Sequence, residues 1–590
     1  MIVVSPPFFS PDAPLLGSST LYDMLIEAGV SARYIDLNLL FFQKILTNSE
    51  ILSICNDGKM LLEDENRSVH RRRLLLLATY IVERNFDEFQ KISLRLFQHQ
   101  SNPDEDRKFY KYVNMLLFIL GEKFYPTSLS FYHYGTCTKD IWEIENTLKY
   151  LDDKEHNITY YVIPDLLRKI EGVEGISENT RVLLSVSFQS QLIPTLTIAK
   201  ALKEKIGCKV HVGGQIVQRL GLSKYQEYFQ FVDTFEDTLN ADFKCDECSI
   251  TPFRPEYCHL PSFRNIKLGD YFNSKVLLPL KVSNGCYWSK CSFCAIHHPF
   301  SGLCGLTDVD RVIQYIQYQR KTQNIDLFWF VDEALPKEWL ELFICRMRES
   351  EMELKWALNG SRFESNLDYE FFCSLREAGC CAISFGLESY SQDVLNRMNK
   401  GVLIQDIQRT INMCAKAGIQ VLASAFFGFP GETLQSIKQT RDFLSQNSNK
   451  FRYVLIGKFQ LEKLSPIGRD PEKWGIGSSD YYDPGPLSPY YEYTIPQEIL
   501  KESNKAIKEI KNLFRDPLAA NVLYMDSLDV PSKTCGNYVT VSNENISEVV
   551  CIPESTVAEI SEMMRCEFNP YQWDARLLAE EQVYEGYRNN

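Results

Sequence analysis

Apolar residues along this chain follow two alternating spacings. MIVVS at the start is a continuous apolar run too short for a helix, STLYDMLIEAGV repeats its apolar positions three and four apart, and ARYIDLN returns to a strand-like pattern. The same order recurs from residue 181. RVLLSVSF is a β-type run, LIPTLTIAKALKEKIG is an amphipathic helix closing on Gly207, and CKVHVGG is a second strand ending in Gly213 and Gly214. Such alternation predicts a parallel sheet with helices on its faces. Ligands of these sheets bind at the carboxyl ends of the strands, where Ser187, Gly213 and Gly214 fall. Between the two stretches, residues 41–180 are rich in Leu, Phe, Tyr and charge and poor in glycine, which predicts a largely helical insertion.

A second alternation begins at Val276. Six strand-like runs, KVLLPLKV, DLFWFVD, LKWALNG, CAISFGLE, QVLASAFFGF and FRYVLIGKFQ, are separated by helical patterns such as DVDRVIQYIQYQRK and IQDIQRTINMCAKAG. Repeated βα units close into a full or partial barrel whose site lies at the carboxyl ends of the strands. The expected architecture is therefore α/β. A Rossmann-like domain spans 1–244, a turn-rich linker 245–275, a partial (βα)6 barrel 276–470 and a mostly helical region 471–590. That last region opens with GIGSSDYYDPGPLSPYYEY, long enough to predict a lid or linker. Helical segments and a short strand, NYVTV, follow it. We expect substrate contacts from this region.

Charge and composition narrow the function classes. At 590 residues the length allows two to four domains. A net charge of -14 argues against a nucleic-acid surface. The one basic patch, RSVHRRR, leads into LLLLATYIV and reads as a charged turn of a helix. MIVVSPPFF lacks the basic start of a signal peptide, and no apolar run approaches the ~18 residues that span a bilayer. Cysteines such as Cys373, Cys380, Cys381 and Cys414 lie inside helical or strand patterns and read as small buried hydrophobes of a reducing cytoplasm. The expectation is a cytoplasmic protein with neither membrane nor nucleic acid as partner.

Candidate chemistry concentrates in SNGCYWSKCSFC, where Cys286, Cys291 and Cys294 fall within nine residues just past the first of the six strands. Closed structural metal sites want four protein ligands, whereas three leave a coordination position open for a substrate or cofactor. Cys245, Cys248 and Cys258 form a second set, read either as thiols of a connecting segment or as another metal-spaced group.

The cysteine triad followed by βα repeats resembles the radical S-adenosylmethionine (SAM) superfamily. There, three cysteines hold a [4Fe–4S] cluster whose unique iron is chelated by SAM. The usual C-x3-C-x2-C spacing is C-x4-C-x2-C here, and Phe293 stands where an aromatic is expected. The resemblance implies roles for residues at the strand ends. Asp332 and Glu333 in FVDEAL would contact the methionyl ammonium, for which carboxylates are strong acceptors. Arg362 ends the third strand, and Glu388 in FGLES would approach the SAM ribose or carboxylate. Gly428, Gly431 and Glu432 in FFGFPGET would lie beside the adenine.

The N-terminal segments PPFFSPDAPLLGSSTLYDMLIEAGV and SVSFQSQLIPTLTIAKALKEKIGCKVHVGG resemble the cobalamin-binding domain that precedes the barrel in one branch of the superfamily. The junction FRPEY is similar to that of members modifying peptides and other natural products. The D-x-H-x-x-G signature, whose histidine ligates cobalt, is absent, and FEDTLNADFKC replaces the usual acidic loop. Cobalamin on this sheet and a relic domain for substrate or partner contact both stay open.

The resemblance implies reductive cleavage of SAM to methionine and a 5′-deoxyadenosyl radical, with electrons from a donor such as flavodoxin or ferredoxin. Cobalamin-dependent C-methylation, or a related carbon modification of a peptide or small natural-product precursor, is the leading expectation. A cobalamin-independent cyclase, epimerase or rearranging enzyme is the alternative. A non-catalytic iron–sulfur or zinc protein would need a fourth ligand, for which Cys304, His297 and His298 are nearest. Tyr287 and Trp288 either shield the cluster or pack.

Overall fold

The computed structural model describes residues 1–514 except 65–66, 132, 137–139, 173–175, 237–242, 246–247, 251–257, 274 and 297–304. NYVTV, Cys304, His297 and His298 lie outside the described residues, as do the side chains of Cys245 and Cys248.

Five strands, β1 (Ile2–Ser5), β2 (Arg33–Asp36), β3 (Arg181–Ser185), β4 (Lys209–Gly213) and β5 (Thr234–Glu236), form one parallel sheet in the order 2-1-3-4-5. The strand order reverses between β1 and β3, so a crevice opens at their carboxyl ends. Gly214, at φ +116°, lets the chain turn over Val186. A Cβ there would lie 2.4 Å from the Val186 carbonyl oxygen.

The helical excursion between β2 and β3 starts at Leu37, earlier than periodicity alone indicates, because the Asp36 carboxylate caps helix Leu37–Ile45 by accepting from the Leu39 amide at 2.8 Å. The basic patch has a specific partner. Arg67 and Arg71 both donate to the buried carboxylate of Glu122 in helix Pro103–Lys123, and the Arg71 guanidinium lies 4.4 Å from the Tyr125 ring.

Residues 258–273 are packed rather than free. Phe272 is fully buried among Phe97, Phe42 and Phe109 of the excursion, with ring centroids 4.9, 5.6 and 5.9 Å away, and its amide donates to the Pro11 carbonyl. Tyr271 donates to Asp36 at 2.7 Å. The Ser262 amide and His259 Nε2 both meet Asp23 of helix Leu16–Glu27. A connecting segment rich in aromatics thus clamps the first sheet to its insertion. Phe272→Ala is expected to cost about 3–5 kcal/mol, the usual loss for a fully buried phenylalanine, read as a lower denaturation midpoint.

The second sheet is also parallel, with its six strands adjacent in chain order. They are β6 (Leu278–Leu280), β7 (Leu327–Phe330), β8 (Lys355–Ser361), β9 (Cys380–Glu388), β10 (Gln420–Phe427) and β11 (Phe451–Lys458). Phe330 and Trp356 point outward to Trp339 and Phe343 of helix Lys337–Glu349. Alternation places Trp329, Asn359, Ser384, Gly386, Ser424 and Leu455 on the opposite, inner face, where each is partly or fully exposed. The Tyr-rich stretch after the barrel strands is not a bare loop: Leu461–Glu462, Tyr490–Tyr493 and Tyr481–Tyr482 pair into a small antiparallel sheet. Among the described residues, no helix is long and apolar enough to cross a membrane.

Candidate cofactor site

The cysteine loop follows β6 directly and is braced from below. Asp332, 1% exposed, accepts from the amides of Val282 and Ser283 at 3.0 and 2.7 Å and from the Ser283 hydroxyl at 2.6 Å. Burial pushes its carboxyl up to about 6 despite those three donors. Asp332 thereby fixes the strand exit that launches Cys286. The neighbouring Glu333 is paired with Lys281 at 3.2 Å. The 332–333 backbone crosses so close to Gly360 that a Cβ there would meet Glu333 O at 2.2 Å.

Cys286, Cys291 and Cys294 are free and partly exposed. Burial raises the Cys294 thiol to about 11, and it raises Cys291 too, against the opposing pull of Lys400 and Arg362. The Ile296 amide donates to the Cys294 sulfur at 3.5 Å. One tetrahedral metal with sulfur bonds of about 2.3 Å would draw the three sulfurs to roughly 3.8 Å from each other. Among the described residues, the group that brings three ligand atoms within 4.8 Å is instead Asp23, Glu27 and His259. The three cysteine sulfurs do not gather within that distance of one another. This donor set fits a polynuclear iron–sulfur cluster, in which each thiolate takes its own iron.

Glu388 ends β9 at φ +61°, and its Oε1 accepts from the Lys400 ammonium at 2.8 Å. Both side chains are about nine-tenths buried, at 10% and 8% exposure. Burial alone would lower the Lys400 pKa, but Glu388 and Cys291 outweigh it and hold the ammonium protonated. Gly386 makes room for this pair on the inner face: a Cβ there would lie 2.5 Å from Glu388 Oε1 and 2.7 Å from Lys400 Nζ. Arg362, 5% exposed, donates to the Lys400 carbonyl and stacks 4.4 Å from the Trp288 ring. Tyr287 packs by donating to Glu364 at 2.7 Å.

Lys400 escaped the sequence reading. It stands 12 residues beyond Glu388 in an Asn-Lys-Gly turn that reads as an exposed corner, and only the fold returns that corner to the cysteines.

Gly428 follows β10 at φ +86°, against the Ile495 side chain. Its amide donates to Glu432 at 2.5 Å, so Glu432 closes the FPGE turn. Burial pushes Glu432 up to about 7. Its folded pKa therefore exceeds the unfolded value near 4.5, and the folded state binds the extra proton between those limits. The associated stability, at most about 3 kcal/mol, is complete below the unfolded pKa and lost as pH rises through 7. Glu432→Gln is expected to flatten the fall in Tm between pH 5 and 8, measured against wild type at each pH.

On the first sheet, Ser187, Gly213 and Gly214 gather at the carboxyl ends of β3 and β4, where the Val186 amide donates to the Gly213 carbonyl at 2.8 Å. Gly17 is exposed beside them, and a Cβ there would come within 3.1 Å of the Ser187 hydroxyl and 3.2 Å of Ser185. Phe188 stacks on Phe9, with centroids 4.0 Å apart, at the edge of the same crevice. Glycines and hydroxyls thus lie at the carboxyl ends of these strands, with the Phe9–Phe188 stack beside them. His211, the nearest imidazole along β4, is engaged with Thr234 at 2.6 Å.

These features define the class: an α/β protein of two parallel sheets, one carrying a three-thiol site at the carboxyl end of its first strand. Residues 280–444 match the family model of the Radical SAM superfamily. That family implies a [4Fe–4S] cluster and SAM as cofactors. Over 165 residues the chain is 25% identical to an uncharacterized methyltransferase of Pyrococcus horikoshii, covering 28% of this chain and 35% of that protein. Over 187 residues it is 27% identical to bacteriochlorophyllide d C-12(1)-methyltransferase of Chlorobaculum tepidum, covering 30% and 39%. The chain thus spans little more than a third of the length of these curated relatives. Among solved structures, the radical SAM methyltransferase TsrM from Kitasatospora setae, with cobalamin and a [4Fe–4S] cluster bound, matches with a TM-score of 0.45 and 14% identity. That match covers 66% of this chain and 93% of TsrM.

Proposed function

We propose that this protein is a cobalamin-dependent radical SAM enzyme that methylates, or otherwise modifies, a carbon of a small-molecule or peptide precursor. The observation that carries this reading is the joining of the three thiols to the buried Lys400–Glu388 pair at the carboxyl ends of a parallel sheet. When bound, the reduced cluster with SAM supplies a carbon-centred radical able to abstract hydrogen, and methylcobalamin supplies a methyl group.

The chain's own residues bind and orient. Cys286, Cys291 and Cys294 hold the cluster. Lys400 and Arg362 offer positive charge, and Glu388 and Glu333 negative charge, for the carboxylate and ammonium of the methionyl end. Gly428 and Ile495 bound the adenine side, while Glu432 keeps their turn closed. The inner-face residues Asn359, Ser384, Ser424 and Leu455 are uncharged and suit a neutral substrate segment. Ser187, Gly213, Gly214 and Gly17 line the crevice assigned to cobalamin.

The second reading, a radical SAM cyclase, epimerase or rearranging enzyme without cobalamin, is favoured by one observation. Among the described residues, the crevice brings no imidazole to ligate cobalt.

One experiment separates the readings. Anaerobically reconstituted protein is incubated with hydroxocobalamin, bound corrinoid is measured, and 5′-deoxyadenosine release is followed in parallel. Cluster, stoichiometric corrinoid and SAM cleavage together support the first reading. Cleavage without corrinoid selects the second, and absence of cleavage with a loaded cluster overturns both.

A further inference from the structure

Four residues separate Cys286 from Cys291, and the local geometry shows what this interval does. Ser289 turns through φ +46°, and its hydroxyl donates to the Cys286 carbonyl, closing the loop on itself. Trp288 is thereby turned out of the loop and laid against Gly401. The contact leaves no spare volume: a Cβ on Gly401 would lie 2.1 Å from Trp288 Cζ2 and 2.3 Å from Cη2. Gly401 also sits at φ +65°, where a side chain is disfavoured.

The indole is held from three sides. Its Nε1–H donates to the Asn399 carbonyl at 3.0 Å, and the Asn399 amide donates back to the Lys290 carbonyl at 2.9 Å. The Arg362 guanidinium lies 4.4 Å from the ring and donates its other side to the Lys400 carbonyl. Close by, the Ser292 amide donates to the Met398 carbonyl at 2.8 Å. The cysteine loop and the turn 398–401 are therefore tied together by these contacts, with the indole at their centre. A guanidinium over the face of a half-buried indole adds a cation–π attraction to these hydrogen bonds.

We propose that Trp288 is a positioning residue: it fixes the Lys400 turn relative to the three thiols, so that the group meeting SAM and the cluster keep one spacing. This rests on the radical SAM reading above. The indole acts through Gly401, Asn399 and Arg362.

The test uses the full chain, reconstituted anaerobically with iron and sulfide, reduced with dithionite and titrated with SAM under electron paramagnetic resonance. Trp288→Leu and Gly401→Ala remove one contact from its two sides. We expect iron content near that of wild type, with the SAM concentration for half-maximal spectral change raised about tenfold in each variant, since 1.4 kcal/mol corresponds to a factor of ten. The double variant is expected to be no worse than the weaker single, because both remove the same interaction. Trp288→Phe, which keeps a ring but not the N–H, falls between.

Titrations that superimpose on wild type at equal cluster content overturn the proposal, as does a double effect equal to the product of the singles. Loss of iron in Trp288→Leu with an unchanged titration in Gly401→Ala also overturns it, since the indole would then serve the cysteine loop alone. A wild-type spectrum that SAM leaves unaltered overturns the radical SAM reading itself, and this proposal with it. That result is distinguishable because it precedes any variant.

Discussion

Cys291→Ser is expected to abolish the charge-transfer absorbance of the reconstituted protein and to lower SAM cleavage by at least about a thousandfold, while leaving the fold intact. Cys291 lies in a loop whose backbone is held from outside by Met398 and Asn399, so loss of one sulfur removes a ligand without removing a brace. A serine hydroxyl is a poor substitute for thiolate toward iron, which prefers soft sulfur donors. The same exchange at Cys258 serves as the control. Cys258 is buried, and its sulfur donates to the Asn284 side chain at 3.3 Å in the packed connecting segment. Cys258→Ser is therefore expected to leave iron content unchanged. Iron and sulfide analysis of the two variants decides the matter. Equal iron in both, or loss in both, contradicts the assignment.

Lys400→Met carries the second large effect. The ammonium is buried on Glu388, and removing one partner of a buried ion pair leaves an uncompensated charge at a cost of about 3–5 kcal/mol. Denaturation midpoints should fall accordingly. Adding Glu388→Gln should recover most of the loss, because the stranded charge then disappears. SAM binding should separate the two effects. It should stay impaired in the stabilised double variant if Lys400 meets the methionyl carboxylate, and should return with stability if the pair is only structural. Lys400→Arg keeps the charge but adds bulk over Gly386, where even a Cβ would lie 2.7 Å from the ammonium. It is expected to rescue binding only in part.

The connecting segment and the tyrosine-rich stretch show where reading by composition runs short. CDECSITPFRPEYCHLPSFRN reads as a linker because it is rich in turn formers. Yet its continuation places Tyr271 and Phe272 in contacts with Asp36 and an aromatic cluster more than a hundred residues away in sequence. The loop after the barrel strands reads as a lid or linker from its length, but its Tyr490 and Tyr491 pair with Leu461–Glu462. Turn residues report where the chain bends and not what the bend packs on.

The alternation of short apolar runs with helical periods determined the α/β class and its parallel sheets, because side-chain period and connection length are local properties of the chain. Three thiols in nine residues marked the candidate cluster site for the same reason: the proposed ligands lie on one loop. The order of strand-end acids followed from the strands themselves. Only the tertiary structure placed Lys400 on Glu388, laid Trp288 against Gly401, committed Asp332 to the backbone of Val282 and Ser283, and seated Phe272 in the insertion. Each of those contacts joins segments that sheet closure brings together, and the energy that selects it is burial of two groups far apart in sequence, which no local pattern of residues can report.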